Sequence, residues 1–142
     1  MKLKAAKFGN GLKEIGDQAF YGCKRLESLT IGKGVIRIGQ EAFCKCKALK
    51  KITIPAKTAF INYKAFYGCS KLKSITVKTI KLKTMNVGSK AFAKTPVNIK
   101  VKVPNKVYRR YRKLLQKKES IEMPCFIIYN FRYYISGDLK VA

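Results

Sequence analysis

Cysteine and lysine are the residue types in this 142-residue chain that are best suited to chemistry. Cysteine forms disulfides, binds zinc or acts as a nucleophile, and lysine binds anions. The chain has no histidine, and its 7 acidic residues are scattered singly, so the commonest general base, the commonest metal ligand and paired carboxylates are all missing. We therefore expect a protein that is not an enzyme and that has no metal site and no cofactor.

The cysteines follow a fixed spacing. Cys23, Cys46 and Cys69 lie 23 residues apart. Stacked as neighbouring strands they would stand about 4.8 Å apart, which a disulfide can span, but three members of one column cannot all pair. We favour small, buried, weakly polar side chains at these positions. Cys44 is expected to point away from Cys46, and Cys125 has no assigned role.

The cysteine spacing belongs to a repeat. Each copy carries an Ala-Phe pair and then apolar residues in constant register, ending in a period-2 alternation such as Leu29 inward, Thr30 outward and Ile31 inward. One copy cannot bury its apolar face alone, so the copies are expected to stack into a solenoid with like residues in columns. The Ala-Phe pairs end at Phe20, Phe43, Phe66 and Phe92.

The other parts of each copy connect these strands. The Gly-x-x-Ala-Phe segment predicts one tight helical turn, and Gly22 or Gly68 is suited to a positive φ before the cysteine. Residues 78–85 hold a small insertion before the last copy and are expected to bulge as a loop. The chain begins in the middle of a repeat at Met1, and its first ten residues contain no signal peptide, which predicts a fragment of a longer array.

The C-terminal part departs from the repeat. Residues 105–119 are predicted to form a capping helix that starts at the N-cap Asn105, with a membrane-surface helix as the alternative. Its apolar stripe contains Val107, Tyr111, Leu114 and Leu115. Residues 120–142 form an atypical apolar tail that predicts one or two strands, either packed beside the cap or left unburied. No apolar stretch is long enough to span a membrane.

A family resemblance follows from one copy in particular. Residues 38–55 read I-G-x-x-A-F-x-x-C-x-x-L-x-x-I-x-I-P, which resembles the BspA-type, or Treponema pallidum type, leucine-rich repeat. The resemblance implies a leucine-rich-repeat solenoid of the α/β horseshoe type, with about four to five coils over residues 1–104. It covers roughly residues 3–104, and the lysine-rich stretch after it is similar to the ending of such arrays in gut Firmicutes. The family implies a cell-surface or secreted protein that binds host or neighbouring-cell molecules.

The charge pattern predicts where such binding occurs. The chain has 32 basic and 7 acidic residues, a net charge of +25. Outward positions of successive strands form a ridge of cations and hydroxyls on the concave face, which suits a protein partner or an anionic glycan. Three alternatives stay open: a basic polyanion or nucleic-acid binder, a structural spacer, and lysines that only keep the solenoid soluble. The predicted contact residues are Lys50, Lys51, Thr53, Lys73, Ser74, Thr76, Lys100 and Lys102.

Overall fold

The computed structural model describes residues 2–96, 99–111 and 127–130 and shows a solenoid of short parallel strands. The strands are two to four residues long. In chain order they are β1 (Ala5–Lys7), β2 (Glu14–Ile15), β3 (Ser28–Thr30), β4 (Arg37–Ile38), β5 (Lys51–Ile54), β6 (Phe60–Ile61), β7 (Ser74–Val77), β8 (Lys100–Val103) and β9 (Ile127–Asn130).

Two sets of parallel strands enclose one hydrophobic core. The front face comprises two hydrogen-bonded sheets, β1–β3 and β5–β7–β8–β9, with β3 beside β5, and we call these strands together the front sheet. The back sheet comprises β2, β4 and β6 and is extended by a bridge between Ile61 and Val87. Neighbouring strands align Leu29 with Ala6 and Ile52 with Ile75, which confirms the 23-residue period.

The Ala-Phe pairs form the predicted column. Phe20, Phe43, Phe66 and Phe92 stack nearly parallel, with ring centroids 5.4, 5.3 and 5.4 Å apart and interplanar angles of 10°, 6° and 4°. Phe8 covers the first ring edge-on, at 5.3 Å and 64°. The column places the same apolar contact in every coil, and the leucine-rich-repeat solenoid expected from the sequence is confirmed.

The segment that carries each Ala-Phe pair is a hydrogen-bonded turn, so the expected helical turn does not form. Its amides bond to the next coil: the amide of Phe20 donates to the Ala42 carbonyl at 2.7 Å, and the amide of Phe43 donates to the Ala65 carbonyl at 2.8 Å. A helix would use these groups for bonds four residues back along the same chain. The bonds between coils replace that pattern and tie each turn to its neighbour.

Two positions in each turn have left-handed backbone. Gly22 and Gly68 have φ of 68° and 73°, as the sequence predicted, and Lys45 and Lys94 hold the same position in the other coils with φ of 60° and 57°. The second left-handed position precedes the alanine of each pair and is occupied by Gln18, Glu41, Lys64 and Lys90. Non-glycine residues at all of these second positions were not anticipated, because left-handed backbone normally favours glycine.

The insertion after β7 is anchored more firmly than a simple bulge. Thr79 and Leu82 are buried, and a 3-10 turn at Thr84–Asn86 leads into the next coil. The buried hydroxyl of Tyr111 donates to the Thr79 carbonyl at 2.8 Å and accepts from the Leu82 amide at 3.0 Å. The Arg110 guanidinium also donates to the Ile80 carbonyl. The loop therefore provides backbone groups that hold the C-terminal segment.

The C-terminal segment starts as a 3-10 turn at Asn105–Val107 and continues as helix over residues 108–111. Pro104 precedes the turn and Asn105 lies inside it, so the predicted N-cap at Asn105 is wrong. Val107 and Tyr111 of the predicted apolar stripe are buried, whereas Leu114 and Leu115 lie outside the described residues. Within the apolar tail, β9 continues the front sheet by parallel pairing with β8.

Candidate functional site

The candidate site lies on the front sheet, where alternation separates core from surface. Ile52, Ile75 and Val101 occupy one register column, and each is only 1–2% exposed. Their neighbours along each strand must therefore face away from the core. One outward column contains Lys51, Ser74 and Lys100, and the other contains Thr53, Thr76 and Lys102.

An open groove of about 730 Å³ runs across these strands. It brings together six of the eight contact residues that the sequence predicted, namely Lys50, Lys51, Lys73, Ser74, Lys100 and Lys102. Thr53 and Thr76 share the outward column of Lys102 but do not line the groove. Because parallel pairing fixes the strand spacing at about 4.8 Å, the cations are held in a preset array.

Sequence reasoning missed four residues that line the groove. Ser70, Lys71 and Leu72 come from the segment between the cysteine and the strand, and Pro96 comes from the next coil. The two residues after Cys69 stand at the same repeat positions as Lys24 and Arg25. This recurrence of basic residues beside the strand is the signal that points to Lys71.

The groove lies in a part of the chain without acidic residues. Residues 42–111 contain 18 lysines and arginines and no aspartate or glutamate. The acidic side chains of the described part all precede this stretch, and each has a partner: Glu14 and Asp17 contact Arg37, Glu27 contacts Lys50 at 3.3 Å, and Glu41 accepts from Gln18 at 2.8 Å. The Glu27–Lys50 pair is half-exposed, so solvent weakens it. Among the lysines that line the groove, Lys50 thus has the Glu27 carboxylate within ion-pair distance.

The cysteine column has a structural role. Cys23, Cys44, Cys46 and Cys69 are buried and free of disulfides, which confirms the expected small core side chains. The Cys46 thiol donates to the Phe20 carbonyl at 3.2 Å, and the Cys69 thiol donates to the Phe43 carbonyl at 3.4 Å.

Burial also decides the reactivity of these thiols. It raises the pKa of Cys46 to about 12 and raises the pKa of Cys69 and of Cys44 as well. Such thiols stay protonated at neutral pH and are poor nucleophiles and poor metal ligands. Cys125 lies outside the described residues.

No group of three or more Cys, Asp or Glu side chains is arranged to hold a metal ion in residues 2–96, 99–111 and 127–130. In the same part of the chain, none of the helical segments has the length and apolar character needed to cross a bilayer.

The comparisons with known proteins agree with this architecture. The family model for the BspA type leucine rich repeat region matches residues 1–122 with 6 copies, where the sequence led us to expect four to five coils. The chain belongs to the BspA-type leucine-rich repeat family. No curated protein matches it.

A solved structure supports the same assignment. The crystal structure of a leucine-rich repeat protein from Bacteroides ovatus ATCC 8483 is similar to this BspA-type chain, with a TM-score of 0.62 and 26% sequence identity. The match covers 86% of this chain and 31% of the Bacteroides chain. The chain therefore spans about a third of the length of that relative.

Proposed function

We propose that this BspA-type repeat is a non-enzymatic interaction module of a cell-surface or secreted protein, and that its basic groove binds anionic glycans or acidic proteins. The observation that carries the proposal is the groove lining, which contains no carboxylate and holds six lysines, namely Lys50, Lys51, Lys71, Lys73, Lys100 and Lys102. The family supports a repeat module that takes part in molecular interactions.

The physical basis is the summed field of these ammonium groups. A charged ligand gains little from one exposed lysine, but several lysines in one groove raise the local concentration of anions and release the counterions that accompany a polyanion. The parallel strands hold the lysine backbones in place before binding, so ordering them costs little. The hydroxyl of Ser74, between Lys51 and Lys100 in its column, adds a hydrogen-bond donor for a sulfate or carboxylate oxygen.

Sequence-indifferent binding of nucleic acid is the second candidate. The observation that favours it is the acid-free stretch of residues 42–111, which would attract any polyanion. The groove lining offers no aromatic ring on which a base could stack and no arginine for bidentate contacts to guanine. We therefore place a sulfated or carboxylated glycan ahead of nucleic acid as the ligand class.

The test compares two double variants with the same change in net charge. Lys51→Glu with Lys73→Glu reverses two charges in the groove, and Lys57→Glu with Lys83→Glu reverses two exposed charges outside its lining. The probes are immobilised heparin, a mucin-coated surface and double-stranded DNA, each measured over a range of salt concentrations. We expect the groove variant to lose about tenfold or more in heparin affinity and the control to lose about twofold.

Three results would contradict the proposal in different ways. Equal losses in both variants would mean that net charge, and not the groove, binds the polyanion. DNA affinity equal to heparin affinity at every salt concentration would favour the nucleic-acid alternative. Binding no tighter than that of a lysine-rich peptide of matched size would leave the chain as a structural spacer.

A further inference from the structure

The turns of the solenoid carry a second cluster of side chains, which we call the turn ridge: the exposed Tyr21, Lys45 and Tyr63 and the half-buried Lys64 and Tyr67. The Lys45 ammonium lies 5.3 Å from the centre of the Tyr21 ring, and the Lys64 ammonium lies 5.0 Å from the centres of both the Tyr63 and Tyr67 rings. Tyr21 and Tyr63 are 43% and 37% exposed. None of the five residues lines the groove.

The lysines of the turn ridge occupy backbone positions that favour glycine. Lys45 has φ of 60°, and the coils on either side have Gly22 and Gly68 at the same position with φ of 68° and 73°. Lys64 has φ of 51°. A lysine in left-handed backbone costs conformational energy that glycine avoids. The left-handed backbone belongs to the repeat, because the corresponding residues of the other turns share it, namely Gln18, Glu41, Lys90 and Lys94. Glycine can therefore replace Lys45 or Lys64 without a change of backbone conformation.

Backbone amides in the turns of the ridge already donate hydrogen bonds to the neighbouring coils. The Gly22 amide donates to the Cys44 carbonyl at 2.8 Å, the Lys45 amide donates to the Tyr67 carbonyl at 2.7 Å, and the Gly68 amide donates to the Ala93 carbonyl at 2.9 Å. An extended peptide that adds to a sheet needs unpaired backbone groups of this kind. A ligand at the ridge meets tyrosine rings, tyrosine hydroxyls and ammonium groups instead.

The charge at the ridge is positive. The side-chain hydrogen bond of Lys45 to Tyr21 raises the pKa of Lys45, and the corresponding bond to Tyr63 raises the pKa of Lys64, so both ammonium groups stay charged at neutral pH. The nearby carboxylate is Glu41, which accepts a hydrogen bond from Gln18 at 2.8 Å. Rings beside ammonium groups suit a molecule that has both a flat apolar face and an anionic group.

We propose that the turn ridge is a second binding surface, separate from the groove, and that its ligand is an acidic saccharide. The C–H face of a pyranose ring would lie against Tyr21 or Tyr63, and its carboxylate would pair with Lys45 or Lys64. A ring that carries a carboxylate satisfies both groups at once, whereas an acidic peptide satisfies only the lysines and a neutral sugar only the tyrosines.

The test uses Lys45→Gly with Lys64→Gly in the full chain, because glycine adopts left-handed backbone without strain. The melting temperature of this variant should be unchanged or higher than that of the wild type, which separates the effect on binding from any effect on folding. Its affinity for oligogalacturonate, an unsulfated oligosaccharide of uronic acid, should fall about tenfold. The control Lys57→Ala removes an exposed charge elsewhere and should leave the affinity unchanged.

Probe controls separate the ridge from the groove and from simple charge attraction. The groove variant Lys51→Glu with Lys73→Glu should lose less affinity for oligogalacturonate than the glycine variant does, and the glycine variant should lose less affinity for heparin than the groove variant does. The proposal is overturned if the glycine variant binds oligogalacturonate like the wild type, or if the groove variant loses as much of that binding as the glycine variant does. It is also overturned if poly-glutamate or a neutral malto-oligosaccharide binds to the ridge as tightly as the uronic acid oligomer.

Discussion

Replacing Phe43 by alanine tests the stacked column on which the fold depends. The Phe43 ring is fully buried and lies between Phe20 and Phe66, with centroids 5.4 and 5.3 Å away. A core Phe→Ala change costs about 3–5 kcal/mol, and an aromatic pair adds about 0.5–1.5 kcal/mol beyond area burial. Because Phe43→Ala removes both stacking contacts, we expect it to lower the free energy of unfolding by about 5 kcal/mol, near the upper end of this range.

Phe20 provides the matched control. It is partly exposed and packs against Phe43 on one side and against the edge-on ring of Phe8 on the other. Phe20→Ala therefore removes less buried area and leaves an opening that water can fill, so we expect about half the loss in free energy of unfolding.

Urea denaturation followed by far-ultraviolet circular dichroism measures both losses. A single domain has about 5–15 kcal/mol of stability in total, so Phe43→Ala can abolish folding. Phe43→Leu and Phe20→Leu keep most of the side-chain volume and serve as a milder pair with the same expected order. The column is refuted if the Phe20 variants are destabilised as much as the Phe43 variants, or if Phe43→Ala costs less than about 2 kcal/mol.

Two further predictions concern the contact between coils and the buried thiols. A Cβ added at Gly39 would lie 2.6 Å from the Asp17 backbone nitrogen, whereas one added at Gly16 meets nothing within 4 Å. Gly39→Ala should therefore lower the free energy of unfolding, measured by thermal denaturation, by about 1–3 kcal/mol, whereas Gly16→Ala should be close to neutral. Equal losses in the two variants would contradict the close packing of the coils. Burial raises the pKa of the Cys46 thiol from 9.0 to about 12, so this protonated thiol stabilises the fold fully below the unfolded pKa of 9.0 and loses that contribution as the pH rises towards 12. As the pH rises from about 8 to about 11, the urea concentration at the midpoint of unfolding should fall more steeply in the wild type than in Cys46→Ala. Parallel curves for the two proteins would show that the thiol does not cause this loss of stability.

The columns were predictable from the sequence because side-chain periodicity determines them directly. The constant spacing of Phe20, Phe43 and Phe66 fixes which residues share a column, and the alternation around Ile52 fixes which face of the strand is buried. The lining of the groove followed from the same alternation, since Lys51 and Lys100 had to face outward once the apolar residues faced inward.

The turns were not predictable in the same way because their hydrogen bonds are not local. The Gly-x-x-Ala-Phe segment is compatible with a helical turn on its own, and only the next coil, through bonds such as that from Phe20 to Ala42, selects the observed conformation. The back sheet was missed for the same reason, since strands of two residues such as Glu14–Ile15 are formed by pairing between coils. The left-handed backbone of Lys64 could not be predicted from its residue type, because lysine does not favour that conformation.

The contact between Tyr111 and the insertion has a consequence for how such a protein changes in length. The hydroxyl of Tyr111 donates to the Thr79 carbonyl and accepts from the Leu82 amide. It thereby continues a series in which the Thr58 hydroxyl donates to the Val35 carbonyl and the Thr79 hydroxyl donates to the Thr58 carbonyl. The C-terminal segment is therefore attached to the insertion after β7. Duplication or deletion of whole 23-residue units upstream of the insertion would leave its attachment intact. Unequal recombination within the gene could thus lengthen or shorten the array while its C-terminal closure is inherited unchanged.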